Sequence, residues 1–252
     1  MANKKNVQTK KKVQKKKKLS DGAVAICVIS IAAVLMIAFV IIVANMLPEA
    51  KEVVVVDMAQ IKSEINSHKV SDFAETSEKT DYVKISVKDH GDIVIRLRPD
   101  IAPETVENFK TLVDNKFYDG LTFHRVYPNF MIQGGDPKGN GTGGSQTKIK
   151  GEFTSNGFTN NLEHARGVIS MARSGNDKNS ASCQFFICHA DAASLNGDYA
   201  SFGYVMAGLE VVDSITKVEL EKTANSIDSV ATSPVKDVVI EKIVFVKDGH
   251  NH

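Results

Sequence analysis

Cysteine is scarce in this chain: three in 252 residues, too few for a disulfide scaffold. Cys183 and Cys188 are five positions apart. In one extended strand they would stand ~16 Å from each other, beyond bridging distance. Metal-binding patterns are missing as well. The seven histidines lack ligand spacing, and neither HExxH nor Cys-x-x-Cys occurs. No G-x-S-x-G nucleophile elbow is present. Tryptophan is absent. The body of the chain also lacks an excess of positive charge. Nine of the 31 basic residues crowd into residues 1–22, and the other 230 positions hold 22 basic and 29 acidic residues. That balance argues against nucleic acid as a partner, because affinity there comes mainly from neutralising phosphates. At 42% hydrophobic and 24% charged, the composition is that of a globular protein. Collagen-like repeats and wholesale disorder are excluded.

What is present begins with a lysine-rich tail over 1–22 without apolar periodicity, which reads as disordered. Ala23 to Ala44 then runs 22 residues without a charge. As a helix it would rise ~33 Å, enough to cross a hydrocarbon core. A transmembrane signal-anchor helix over 23–47 is expected. The lysines before it would keep the N-terminus cytoplasmic and place the rest outside the cell membrane in a single pass. Residues 48–80 are polar with no clean period and read as a stem, partly helical, holding the next domain off the membrane.

From residue 81 the pattern changes. Tyr82 to Val87 and Ile93 to Leu97 alternate apolar and polar residues around a Gly-containing turn, which predicts a β-hairpin with one buried face. Pro103 and Glu104 suit a first helical turn, and Val106, Phe109, Leu112 and Val113 fall on one face of a helix ending near Asn115. Further strands are predicted at Leu121–Arg125, Phe130–Gln133, Val168–Ala172, Gln184–Cys188 and Val238–Val246, and a second helix from Leu209 to about Lys217. Many short strands with two helices point to a mostly β fold, an antiparallel sheet or barrel capped by helices. Gly139 to Gly144 formally matches G-x-G-x-x-G, but loop-like flanks on both sides exclude a dinucleotide site.

The block Phe123-His124-Arg125-Val126-Tyr127-Pro128-Asn129-Phe130-Met131-Ile132-Gln133-Gly134-Gly135-Asp136 closely resembles the signature of the cyclophilin family of peptidyl-prolyl cis-trans isomerases. Gly141 to Gly144, Gly167 to Ala172 and Ser182 to Ile187 resemble further family stretches in the right order, and Phe202-Gly203 fits too. The resemblance spans residues 81–248, with 249–252 left as a short tail. It implies a closed eight-stranded antiparallel β-barrel capped by two α-helices, here preceded by one transmembrane helix.

It also implies X-Pro isomerisation in exported or extracytoplasmic proteins. The barrier is amide resonance, ~18–20 kcal/mol, and no bond is broken in crossing it. A dry pocket and one well-placed donor suffice. By resemblance Arg125 is that donor, acting with Phe130 and Gln133 as the catalytic set. Substrate would bind at Met131, Gly141, Thr142, Ala172, Arg173, Phe186, Leu195 and Tyr199. Met171-Ala172-Arg173 is similar to bacterial-type members. Ser194 stands where the members most sensitive to cyclosporin carry Trp, which implies weak inhibition by that drug, and Tyr199 stands where many members carry His. Those departures and Arg173 leave an alternative: a catalytically weak binding module or chaperone for proline segments at the cell envelope. The partners implied are proline-containing unfolded or flexible polypeptides, and the membrane through 23–47. No cofactor and no metal are implied, and nothing in the pattern sets an oligomeric state.

Overall fold

The structure, a computed structural model, describes residues 54–223 and 228–249. The basic tail at 1–22 and the apolar run within 23–47 lie outside the described residues. Among the described residues no helix is long and apolar enough to cross a membrane. The longest, Pro103–Asp114, has 12 residues and buries only one face, through Thr105, Val106, Phe109 and Val113. It rises ~18 Å, against a hydrocarbon core of about 30 Å. The expected signal-anchor, the membrane as a partner and the single-pass placement of an extracytoplasmic domain are therefore corrected. No described element supplies a span, and these readings go no further.

Eleven strands are described: β1 (Phe73–Glu75), β2 (Tyr82–Val87), β3 (Gly91–Leu97), β4 (Arg125–Tyr127), β5 (Met131–Gly134), β6 (Val168–Met171), β7 (Phe185–Cys188), β8 (Ser201–Ala207), β9 (Leu220–Glu221), β10 (Ser233–Pro234) and β11 (Ile240–Asp248). The α-helices among the described residues are α1 (Met58–Glu64), α2 (Pro103–Asp114) and α3 (Leu209–Ile215). The predicted hairpin is β2–β3, paired from Tyr82 opposite Arg96 to Val87 opposite Gly91. Nine strands form one antiparallel sheet in the order β1-β11-β2-β3-β8-β6-β7-β5-β4, and β9 pairs with β10 separately.

The expected closed eight-stranded barrel is corrected by this order: the sheet has nine strands and its ladder is open. β1 lies at one edge and β4 at the other. Where β4 would have to meet β11, only an isolated bridge between Thr122 and Val239 forms. Past that point β4 turns to the residues just before β10 instead. The Val126 amide donates to the Thr232 carbonyl at 2.7 Å. Pro234 in neighbouring β10 has no N–H with which to extend a ladder.

The core is built on an aromatic cluster. Phe109 of α2 packs within 5.6 Å, centroid to centroid, of Tyr118, Phe185 and Phe202, all fully buried. The Tyr118 hydroxyl donates to the Cys183 carbonyl at 3.0 Å. Burial pushes its pKa well above the usual phenol range.

Residues 54–80, expected as a stem, hold elements that fold onto the sheet. Asp57 caps α1 by accepting from the Ala59 and Gln60 amides. β1 pairs antiparallel with β11, Phe73 opposite Asp248. Ile61 and Phe73 are buried against Val94, Val168, Tyr204 and Met206. The Glu64 carboxylate accepts from Arg96 Nη1 at 2.9 Å and from the Tyr204 hydroxyl. Met58, Ile61 and Ile65 fall on one helical face, but a helix of seven residues is too short for that spacing to stand out in the sequence. Their burial is set by the sheet beneath them.

Candidate active site

β4 and β5 run antiparallel with Arg125 directly opposite Gln133, and Gln133 lies opposite Phe186 of β7. This register brings two motif blocks, separated by some fifty residues, onto one wall. Arg125 Nη1 donates to Gln133 Oε1 at 3.1 Å. A guanidinium can only donate, so the oxygen of Gln133 must face it. Its amide nitrogen therefore faces Gln184 Oε1, at 2.9 Å. Gln184 Nε2 then donates to the carbonyls of Gly141 and Gly143, at 3.1 and 2.8 Å. One chain of oriented amides thus runs from the arginine to the glycine loop.

That loop is wrapped around a carboxylate. Asp136 is 1% exposed, and its oxygens accept from the amides of Lys138, Asn140 and Gly141. Burial alone would raise the Asp136 pKa, but the converging N–H donors hold it below the usual range. A Cβ on residue 143 would sit 1.8 Å from Asp136 Oδ1, so only glycine fits there. The G-x-G-x-x-G match is accordingly a turn built on Asp136.

Beside this polar wall lies an apolar one. Met131, Phe186, Cys188 and Ala192 form a buried cluster, with Phe130, Ala172, Leu195 and Tyr199 packed against it. Phe130 precedes β5 and ends a turn in which Asn129 has φ 62°. It therefore escapes strand alternation, and Phe130 and Met131 both face the cavity. His189 braces the turn: its Nδ1 accepts from the Asn129 amide at 2.9 Å, and its Nε2 lies 3.2 Å from Asp213. The Arg173 guanidinium stacks on Tyr199 at 4.7 Å and Phe153 at 5.3 Å and donates to the Asp198 carbonyl. Its side chain shapes the pocket rim, and Tyr199 in turn meets Phe186 edge-on at 5.8 Å.

All eleven residues singled out from the sequence line one cavity of about 880 Å³: Arg125, Phe130, Met131 and Gln133, then Gly141 and Thr142, then Ala172 and Arg173, then Phe186, Leu195 and Tyr199. An apolar pocket, open on one side, meets a fixed guanidinium. Residues 82–244, most of the chain, match the sequence model of the cyclophilin type peptidyl-prolyl cis-trans isomerases.

The chain belongs to the cyclophilin family.

Its relatives include peptidyl-prolyl cis-trans isomerase B of Bacillus subtilis, 43% identical over 144 residues, covering 57% of this chain and 95% of the relative. A peptidyl-prolyl cis-trans isomerase of Helicobacter pylori is 39% identical over 156 residues, covering 62% and 90%. Among solved structures, a cyclophilin type isomerase of Cryptosporidium parvum, crystallised in the presence of the dipeptide Ala-Pro, superposes with a TM-score of 0.57. It is 29% identical and covers 65% of this chain and 97% of its own. This cyclophilin is a peptidyl-prolyl cis-trans isomerase; the reading as a weak binding module gives way to that of an enzyme.

Sequence reasoning missed three polar members of the site. Gln184 carried a signal, a lone amide beside an apolar strand. Asp228 and Thr232 carried none, since they lie in an aperiodic segment a hundred residues downstream of Arg125. His124, the residue before Arg125, also borders the cavity.

Two histidines of this cyclophilin, the buried His164 and the half-buried His124, make its stability fall with acid. His164 stacks on Phe186, rings 5.8 Å apart and 16° from parallel. Burial lowers its pKa below the ordinary 6.5, opposed by the hydrogen bond to Asn196, and burial also lowers that of His124. The unfolded chain takes up protons near pH 6.5 that the folded one refuses. Their contribution is therefore complete above that value and shrinks as pH falls through the window below it. Carboxylates such as Glu75, pushed down to about 2 first by its hydrogen bond to Lys242, act only below about 4.5. The melting temperature is expected to be lower at about pH 5.5 than at about pH 7.5, with the gap narrowed in His164→Gln. Equal melting temperatures at the two pH values would contradict this.

Proposed function

We propose that the cavity grips the prolyl ring of a flexible polypeptide between Phe130, Met131, Phe186 and Leu195, with Tyr199 at the rim. Arg125 donates to the prolyl carbonyl and interacts with the proline nitrogen as the amide twists. Twisting breaks conjugation, leaving a more basic nitrogen and a carbonyl free to turn, and a fixed cation stabilises both better than water does. A guanidinium offers donors and no acceptor, so Arg125 works by donating hydrogen bonds. Ala172, with Arg173, meets the backbone of the residue before proline. Gly141 and Thr142 border the next subsite, where small residues admit varied side chains. Broad specificity for proline-containing unfolded or flexible segments follows. The isomerase domain is assigned to residues 81–248, with α1 and β1 as an extension packed on it.

The observation that carries this reading is the single wall formed by Arg125, Gln133 and Phe186 through the β4–β5–β7 register. A proline-containing peptide titrated into the protein and followed by NMR should shift resonances of Phe130, Met131, Gln133, Ala172, Phe186 and Tyr199 while its cis and trans signals exchange. Exchange accompanied by shifts on another face would overturn the assignment of the site.

A further inference from the structure

The arginine at the centre of the site is gripped from behind by a carboxylate outside every motif block of the sequence. Asp228 Oδ2 accepts from Arg125 Nε at 2.7 Å and Asp228 Oδ1 accepts from Nη2 at 2.7 Å. The pair is bidentate, the geometry in which a guanidinium is held in both position and plane. Thr232 Oγ1 donates to Asp228 Oδ2 at 2.8 Å, and the Thr232 carbonyl accepts from the amide of Val126, the residue after Arg125. The same short segment thus holds β4 by its side chain at 125 and by its backbone at 126. The side chains of Arg125 and Asp228 are 19% and 9% exposed.

The donor count decides what this clamp does. A guanidinium has five N–H bonds. Asp228 takes one on Nε and one on Nη2, and Gln133 takes one on Nη1. One N–H remains on each terminal nitrogen for a carbonyl in the cavity. A donor held on two edges needs no reorganisation when the amide twists. Hydrogen bonds from Arg125 hold the Asp228 carboxyl below the usual carboxylate range, so the clamp stays charged at neutral pH.

We propose that Asp228 is the positioning residue for Arg125, fixing the plane in which the guanidinium meets the prolyl carbonyl. The proposal rests on the role given to Arg125. The prolyl ring is gripped by the apolar walls and the clamp acts on Arg125, so loss of Asp228 acts on kcat and leaves KM nearly unchanged.

The test uses the full chain with a proline-containing peptide, comparing wild type, Asp228→Ala, Asp228→Asn, Asp228→Glu, Arg125→Ala and the double variant Arg125→Ala/Asp228→Ala. Removing the clamp is expected to lower kcat about tenfold in the Ala and Asn variants, the scale on which misplaced catalytic groups fail. Glu should restore part of the rate. Asn keeps the shape of the side chain and guards against a loss due to unfolding. In the Arg125→Ala background, Asp228→Ala should change nothing. The Arg125 Nε–H proton should exchange slowly in wild type and rapidly in Asp228→Ala. A rate in Asp228→Ala equal to or above wild type overturns the proposal, because the carboxylate would then be idle or a competitor for the donor. So does a tenfold loss repeated in the Arg125→Ala background, which would mark a structural role. An Arg125→Ala variant as fast as wild type overturns the reading of Arg125 itself, a result distinct from either.

Discussion

Arg125→Ala is expected to lower kcat/KM for prolyl isomerisation by about 10²- to 10³-fold, the range found when one preorganised donor is removed from a transition-state site. The loss should fall mainly on kcat. The ground-state amide is planar and binds through its ring, whereas the twisted amide depends on the donor. Arg125→Lys keeps the charge but not the fork, so it loses both the bidentate contact with Asp228 and the bond to Gln133. Its rate should lie between the two. Folding should survive, because the Arg125 side chain is 19% exposed and borders a cavity that admits water to the vacated space. Circular dichroism beside an NMR exchange measurement separates the two effects. A folded Arg125→Ala variant with the wild-type rate would remove the arginine from the mechanism.

The largest loss of stability from a single polar side chain is expected at Glu152, far from any catalytic group. Helix α2 begins after Ala102, which has no side-chain acceptor, and Pro103 opens its first turn. The cap comes from elsewhere in the chain. Glu152 is 3% exposed. Its Oε1 accepts from the Glu104 amide at 3.1 Å, and its Oε2 accepts from the Thr105 amide at 2.8 Å and the Thr105 hydroxyl at 2.7 Å. The charge also suits the positive end of the helix. Glu152→Ala leaves these three donors without that acceptor and should cost about 3 kcal/mol, each orphaned buried group contributing roughly 1 kcal/mol or more. Urea unfolding should show the midpoint falling by about 1–2 M. Glu152→Gln keeps one acceptor oxygen and should lose less. A midpoint within a few tenths of a molar of wild type would show that water or the backbone replaces the cap.

Several elements were legible because their signals are local. The β2–β3 hairpin alternates around its turn, and α2 shows four apolar residues on one face. Strand β8 shows neither kind of pattern, because all seven of its residues are buried and a strand covered on both faces has no polar side to mark it. Its Gly203 lies where a Cβ would stand 2.4 Å from the Arg96 carbonyl oxygen, a close approach known only once β3 is beside it. The predicted strand at Leu121–Arg125 is displaced to Arg125–Tyr127. Residues 121–123 are drawn instead into single hydrogen bonds with the start of β11.

By itself, the sequence determined the family, the reaction and eleven of the residues that line the cavity, because most of them sit in short blocks whose side-chain types suit amide rotation. Tertiary structure alone decided how they face one another. Strand register set Arg125 opposite Gln133, a turn brought Phe130 round to the side of Met131, and an open edge beside Pro234 let the chain carry Asp228 to the arginine. The same division holds at Glu152, whose role appears only when residues nearly fifty apart meet at a helix end. A side chain's chemistry is local and can be read in order. Its partner is whatever the folded backbone brings within 3 Å, and that depends on every strand between them.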